Sequence, residues 1–383
     1  MAADEPRALE GVRIIEIAAG LSVAYAGKLL AQGGAEVIRI EPPEGDAIRR
    51  GGPFPGDNED LDAGGRHAFF NGGKRSVALD VTSEGGAAVA ADLIASADVL
   101  LTSWKTASQL PLDDAGAMRE RFPDTLYVSI SPFGRSGPYA DFEGDSHVVE
   151  ALAGFSYVTG YPDREPVSLG VDTAEFLGGL YGWVTTLVLL NARAHGEEHH
   201  HADISAYETA ALTDDHNLAV YHGMGLLRRR FYSRVLGAYP SDIMRCRDGF
   251  VSVVPGAPDF ATSLALLIDR PEMIDDPLLQ LPKERVVRWQ DFDALMEPWL
   301  MEHDAEEIVQ KAQELRLAFA FVPDVADLAA DEHLAARGFF DGPDGEPAVG
   351  PPVGLSETPL RPERPPALGE ANDELAGARG GSA

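Results

Sequence analysis

Short β-branched or apolar runs alternate with helical stretches through the N-terminal third of the chain. This predicts an α/β fold, a Rossmann-like parallel sheet in a large domain followed by a smaller α+β domain. Three observations carry the prediction. Strand-like runs fall at 12–17, 36–40, 77–79, 99–101 and 126–130; helical periodicity fills intervals such as 24–32 and 87–95; and beyond about residue 226 a hairpin pattern replaces the alternation. Strand–helix–strand order requires crossovers, which are right-handed and place the strands parallel. No Gly-x-Gly-x-x-Gly follows a strand, so a nicotinamide dinucleotide role is poorly supported.

Residues 51–73 are rich in Gly, Pro, Asp and Asn without periodicity and read as a long surface loop. A long apolar helix opens at Asp172 and runs to about Gly196, with Phe176, Leu177, Leu180, Trp183, Val184, Leu187 and Val188 at helical spacing. Asp172 fits its N-cap, and Glu175 three residues on completes a capping box. A strand at 202–204 and a helix to about Met224 follow. Residues 241–254 form a hairpin around Arg247-Asp248-Gly249, with helices at 260–268, 294–301 and 305–315. The expected domains are 1–226, 227–330 and a Pro-rich segment, 331–383, returning as extended chain to the large domain.

Composition narrows the function. The formal net charge of −31 argues against nucleic acid or anionic membrane as partner, because polyanion binding needs a large cationic surface. The lone Cys246 excludes an internal disulfide framework and a cysteine-based metal site. No basic start precedes an apolar run and no apolar stretch is judged long enough to span a bilayer, so a cytoplasmic location is expected. Glu197-Glu198-His199-His200-His201 has metal-ligand residue types, but adjacent residues in extended chain point to opposite faces, and no second ligand cluster accompanies them. Arg228-Arg229-Arg230 reads as a solvated linker.

Asp172 admits two roles. The free N–H groups and dipole of a helix N-terminus that favour a cap also keep a carboxylate ionised, and an ionised carboxylate is what attack on an activated acyl carbon requires.

Motifs along nearly the whole chain decide which role to expect. They are Leu9-Glu10-Gly11-Val12-Arg13-Ile14, Gly34-Ala35-Glu36-Val37-Ile38-Arg39-Ile40-Glu41-Pro42-Pro43-Glu44-Gly45-Asp46, Asn71-Gly72-Gly73-Lys74-Arg75-Ser76, Ser129-Ile130-Ser131-Pro132-Phe133-Gly134, Glu150-Ala151-Leu152-Ala153-Gly154 and Pro365-Pro366-Ala367-Leu368-Gly369-Glu370. In this order and spacing, the chain resembles the class III CoA-transferases, the family of formyl-CoA transferase, carnitine CoA-transferase and α-methylacyl-CoA racemase. The resemblance implies an interlocked homodimer, an acyl-CoA and a carboxylic acid as substrates, no permanently bound cofactor, and Asp172 as a nucleophile forming acyl and CoA adducts. CoA carries phosphates, so the basic residues of the N-terminal third, Arg39, Arg49, Arg50, Lys74, Arg75 and Lys105, are its candidate ligands on this acidic chain. Leu79, Thr82 and Ser131 match pocket positions, and Pro42 stands where some relatives have a basic residue. Thr102-Ser103-Trp104-Lys105 replaces the family's acidic-Asn-Phe-Arg run; Trp104 can stack on adenine and Lys105 can meet a phosphate as a point charge. Gly178-Gly179 offers approach room near the reacting carboxylate, and Phe142, Phe155, Tyr157 and Tyr161 suggest an apolar acyl pocket or core aromatics.

Racemases of the family carry a His base before the Glu150 motif, at the position of Asp145 here, with Ser146 where transferases commonly have Asp; His147 lies two residues beyond Asp145. Asp172 with Asp145 or His147 forms the alternative acid/base pair of an isomerase. A non-catalytic CoA-binding subunit is the third reading, disfavoured by the carboxylate at Asp172.

Overall fold

In the computed structural model, residues 6–17, 20–103, 110, 114–197, 201–235 and 238–377 are described. The elements of the first half are β1 (Arg13–Ile17), α1 (Leu21–Gln32), β2 (Glu36–Glu41), α2 (Gly65–Asn71), β3 (Arg75–Ala78), α3 (Glu84–Ala95), β4 (Val99–Thr102), α4 (Ala115–Arg121) and β5 (Leu126–Ser131). There follow α5 (Ser146–Leu152), α6 (Phe155–Val158), α7 (Thr173–Ala194), β6 (His201–Ser205), α8 (Ala206–Thr213) and α9 (Asp215–Met224).

Six parallel strands form one sheet in the order β3-β2-β1-β4-β5-β6, which reverses direction between β1 and β4. Alternate residues explain its burial: Ile15, Ile38, Leu100 and Tyr127 pack into one apolar layer, and their neighbours Ile14, Val37, Val99 and Val128 into the other. A sheet covered on both faces reads as continuous apolar runs, as these strands do.

The chain divides into two compact units. The first holds 1–154, 170–215 and 332–383, and the second 155–169 and 216–331. The sequence reading put its boundary at 226/227 and did not separate 155–169, because a linear pattern does not show a segment leaving one unit and returning. In the second unit Asp242–Arg245, Phe250–Val254 and Ala318–Phe321 make an antiparallel sheet. Leu264, Phe292, Met296, Leu300 and Ile308 form its core with residues of that sheet. The third strand was not expected, since Ala318–Phe321 is too short to show a period.

Three further expectations are corrected. The loop 51–73 contains α2, whose His67, Phe70 and Asn71 are buried. The helix expected to continue to Met224 breaks between α8 and α9 at Asp214. And α7, 22 residues long, does have the length and apolarity to cross a membrane. Its buried residues are mostly small, Ala174, Gly178, Gly179, Gly182, Thr186 and Leu189. A Cβ at Gly179 would stand 2.7 Å from the Ser22 carbonyl, and one at Gly182 2.4 Å from Ile130 Cδ1, so these glycines let α1 and β5 close directly on α7. Gly178 and Gly179 are thereby assigned to helix packing.

Candidate active site

The starts of α1 and α7, two helices packed on each other, are capped by carboxylates from elsewhere in the chain. Asp172 is the N-cap residue of α7, yet its side chain makes no capping bond. Glu175 does not close the expected capping box. Its carboxylate accepts from the backbone N–H of Ser22 at 2.8 Å and from the Ser22 hydroxyl, closing the first turn of α1. The first turn of α7 is served by Glu150, 2% exposed, which accepts from the Ala174 N–H at 3.3 Å and the Ser146 hydroxyl at 3.0 Å. With both helix starts supplied from elsewhere, Asp172 is left with a different partner. Arg66 Nη2 donates to Asp172 Oδ2 at 2.7 Å, and the two side chains are 48% and 36% exposed. Capping propensity points to Asp172 itself; only the fold brings Glu150 to the start of α7 and Glu175 to the start of α1.

Two cavities open at the carboxyl ends of the strands, where ligands of such sheets bind at the reversal of strand order. The larger, about 770 Å³, is walled by Ile17, Ile40, Pro42, Arg50, Leu79 and Thr82 among others. The smaller, about 220 Å³, lies at the start of α1 and the ends of β4 and β5, with Gly20, Ser22, Ser103, Ser131, Phe142 and Glu175 on its wall. Leu79, Ser103 and Ser131 thus face cavities. Trp104 and Lys105 lie outside the described residues, as do His199 and His200; His201 opens β6.

Arg39, Arg49, Lys74 and Arg75 are not among the residues that line the larger cavity. Arg39, fully buried, pairs with Glu16 and Asp46, and Lys74 reaches Glu16 at 2.7 Å, the Ala24 carbonyl at 2.8 Å and Asn71 at 3.0 Å. Burial, with Arg39 nearby, pulls the Lys74 ammonium down to about 8 against the pull of Glu16. Arg75 pairs with Glu36 and Glu374 on the outer edge. Arg49 grips Glu41 with two donors at 2.7 and 2.8 Å. Burial pushes the Glu41 carboxyl up, but Arg49, Arg39 and the Ser76 hydroxyl outweigh it and hold it below the usual carboxylate range. Glu41 and Asp46 belong to the cavity wall, so Arg39 and Arg49 act on it by neutralising those carboxylates. Arg50, donating only to the Glu44 carbonyl at 3.0 Å, is the cation that faces the cavity among the described residues.

Of the aromatic candidates, Phe142 lines the smaller cavity, while Phe155, Tyr157 and Tyr161 belong to the second unit. Asp145 is occupied as the N-cap of α5, accepting from the Val148 N–H at 3.1 Å, and His147 is exposed.

Residues 9–372 match the profile of CoA-transferase family III. The chain belongs to that family. Among its relatives is a succinate–glutarate CoA-transferase of Agrobacterium fabrum, 30% identical over an alignment of 377 positions that covers 94% of this chain and 93% of the relative. A succinyl-CoA–D-citramalate CoA-transferase of Chloroflexus aurantiacus is 28% identical, covering 97% and 93%. A CaiB/BaiF family protein from Brucella suis superposes with a TM-score of 0.86 at 26% identity, over 97% of this chain and 99% of that one. Within this family III chain, Arg66 and Glu150 are site residues that the sequence reading did not select. Glu150 stood inside a quoted motif; Arg66 stood in the stretch read as loop and carried no signal.

Proposed function

We propose that this chain moves CoA from an acyl-CoA to a free carboxylic acid through covalent intermediates on Asp172. The observation that carries the reading is the state of that carboxylate: at a helix start but relieved of capping by Glu150, partly exposed and held by one arginine. Such a group is paired with a cation and accessible, as a carboxylate nucleophile must be. Asp172 attacks the thioester carbonyl and releases CoA as thiolate; the thiolate attacks the aspartyl carbonyl and releases the first acid; the second acid reverses both steps. The thioester bond is thus exchanged and not hydrolysed.

The larger cavity suits the nucleotide end of CoA, with Leu79, Thr82 and Pro42 as its walls, Arg50 toward phosphate, and Trp104 and Lys105 as further ligands. Ser103 and Ser131 border the smaller cavity, suited to the thioester end. The acids named for the two relatives are dicarboxylates, and we assign the same class to this chain. A homodimer accounts for Leu180, Tyr181, Val184 and Val188, which are 37–59% exposed along α7. The cytoplasm is the proposed compartment.

The test is incubation with succinyl-CoA and a panel of dicarboxylic acids, with mass spectrometry for exchanged CoA esters and for mass added at Asp172. Asp172→Ala should fold yet lose transfer by several orders of magnitude, since the pathway itself is removed. Near-normal transfer by the folded variant would rule the assignment out.

A further inference from the structure

We infer that Arg66 is the carboxylate-handling residue of this reaction: its guanidinium, 2.7 Å from Asp172, pairs with that side chain while it is an anion and with the free acid's carboxylate while Asp172 carries CoA as a thioester. The inference rests on the covalent reading above and deepens it.

The geometry separates a fixed backbone from a free head group. Arg66 lies in the first turn of α2, and the Gly65 N–H at that turn donates to the Pro53 carbonyl at 2.8 Å. A Cβ at Gly51 would stand 2.7 Å from Arg66 Cδ, so the missing side chain at Gly51 makes the channel along which the arginine stem lies. The guanidinium beyond it has Asp172 as its one hydrogen-bonded partner among the described residues and is half-exposed. A guanidinium carries five donors in a planar fork matched to a carboxylate, and the single bond to Asp172 leaves most of them open.

Charge conservation then dictates what Arg66 meets. When Asp172 attacks the thioester, the C–S bond breaks, CoA leaves as thiolate and the aspartyl group becomes a neutral anhydride, so Arg66 loses its anion. Attack of the thiolate on the aspartyl carbonyl breaks the anhydride C–O bond and releases the first acid as a carboxylate, the only new anion of that step. The second acid enters as a carboxylate, attacks the aspartyl-CoA thioester and expels the thiolate. The thiolate then takes the acyl group and restores the Asp172 anion. No proton or electron is exchanged with an outside reagent. Outside the two anhydride stages, in which the thiolate carries the charge, the reacting carboxylate is on Asp172 or on the free acid, and the fork of Arg66 fits either.

Succinyl-CoA as donor and glutarate as acceptor test this on the full chain. Loss of a charge-assisted pair corresponds to roughly tenfold to hundredfold in affinity. Arg66→Met should therefore raise the glutarate KM by that factor, leave the succinyl-CoA KM within about twofold, and still form an adduct at Asp172 with succinyl-CoA alone. Arg66→Lys, which keeps the charge without the fork, should recover part of the loss. An unchanged glutarate KM in Arg66→Met, or an equal loss for both substrates together with the adduct, would overturn the inference while leaving the nucleophile intact. Wild-type transfer without any adduct at Asp172 would instead overturn the covalent reading, and this one with it.

Discussion

The carboxylate of Glu175, on the first turn of α7, accepts the backbone N–H of Ser22 at 2.8 Å, so one helix caps another. This ties the wall of the smaller cavity to the start of α1 and leaves the neighbouring Asp172 free of that duty. Glu175→Ala strands the Ser22 N–H in a part-buried site, and an unsatisfied donor there costs about 1–3 kcal/mol. Urea denaturation should show that loss, with Glu175→Gln, which retains an acceptor oxygen, losing less. Equal stability of the alanine variant and the wild type would show the cap to be unimportant.

Arg50 and Arg39 should behave oppositely although both stand in the basic N-terminal region. Arg50 faces the larger cavity, so Arg50→Ala should weaken CoA binding about threefold to tenfold and make it less sensitive to salt, measured by calorimetry. Arg39 neutralises Glu16 and Asp46 from inside the core, so Arg39→Met should cost roughly 3–5 kcal/mol of stability by taking the ion pair from Asp46 and leaving Glu16 with Lys74 alone. A stable Arg39→Met protein with weakened CoA affinity would reverse the assignment.

Acid should loosen the loop around α2. His67 is buried, with Asn71 Nδ2 3.0 Å from its Nδ1 and the Pro366 carbonyl 3.0 Å from its Nε2; burial, reinforced by Arg49, pulls it down to about 4. The folded state therefore holds this imidazole neutral while the unfolded chain protonates near 6.5. Its contribution is intact above that value and is lost as pH falls from about 6.5 toward about 4, on the order of 3 kcal/mol. The stability of His67→Gln should depend less on pH across this window. Identical pH slopes for variant and wild type would remove His67 as the cause.

Transferase and racemase differ in whether the α-carbon C–H bond breaks. Asp145, at the position of the racemase base, is engaged at the start of α5, so CoA transfer without α-proton exchange is expected. Incubation in heavy water, followed by NMR with and without acceptor acid, checks this. Deuterium at the α-carbon without acceptor, and no transfer to any acid tried, would favour the isomerase.

The sequence by itself determined the alternating sheet and its family, because β-branched runs such as 36–40 and 99–101 are local patterns whose period is independent of the rest of the chain. Leu79, Ser103 and Ser131, which it offers as CoA ligands, each lie at or just beyond the carboxyl end of a strand and line a cavity. Tertiary structure alone decided the partners. Arg66 meets Asp172 across 106 positions and Glu175 meets Ser22 across 153, separations at which local pattern carries no information. The same holds for Arg39, Lys74 and Arg75: on sequence their charges suit phosphate, whereas folding sets them beside Glu16, Asp46, Glu36 and Glu374. A buried charge must be matched where it lies, and only the packed chain determines which opposite charge is within reach.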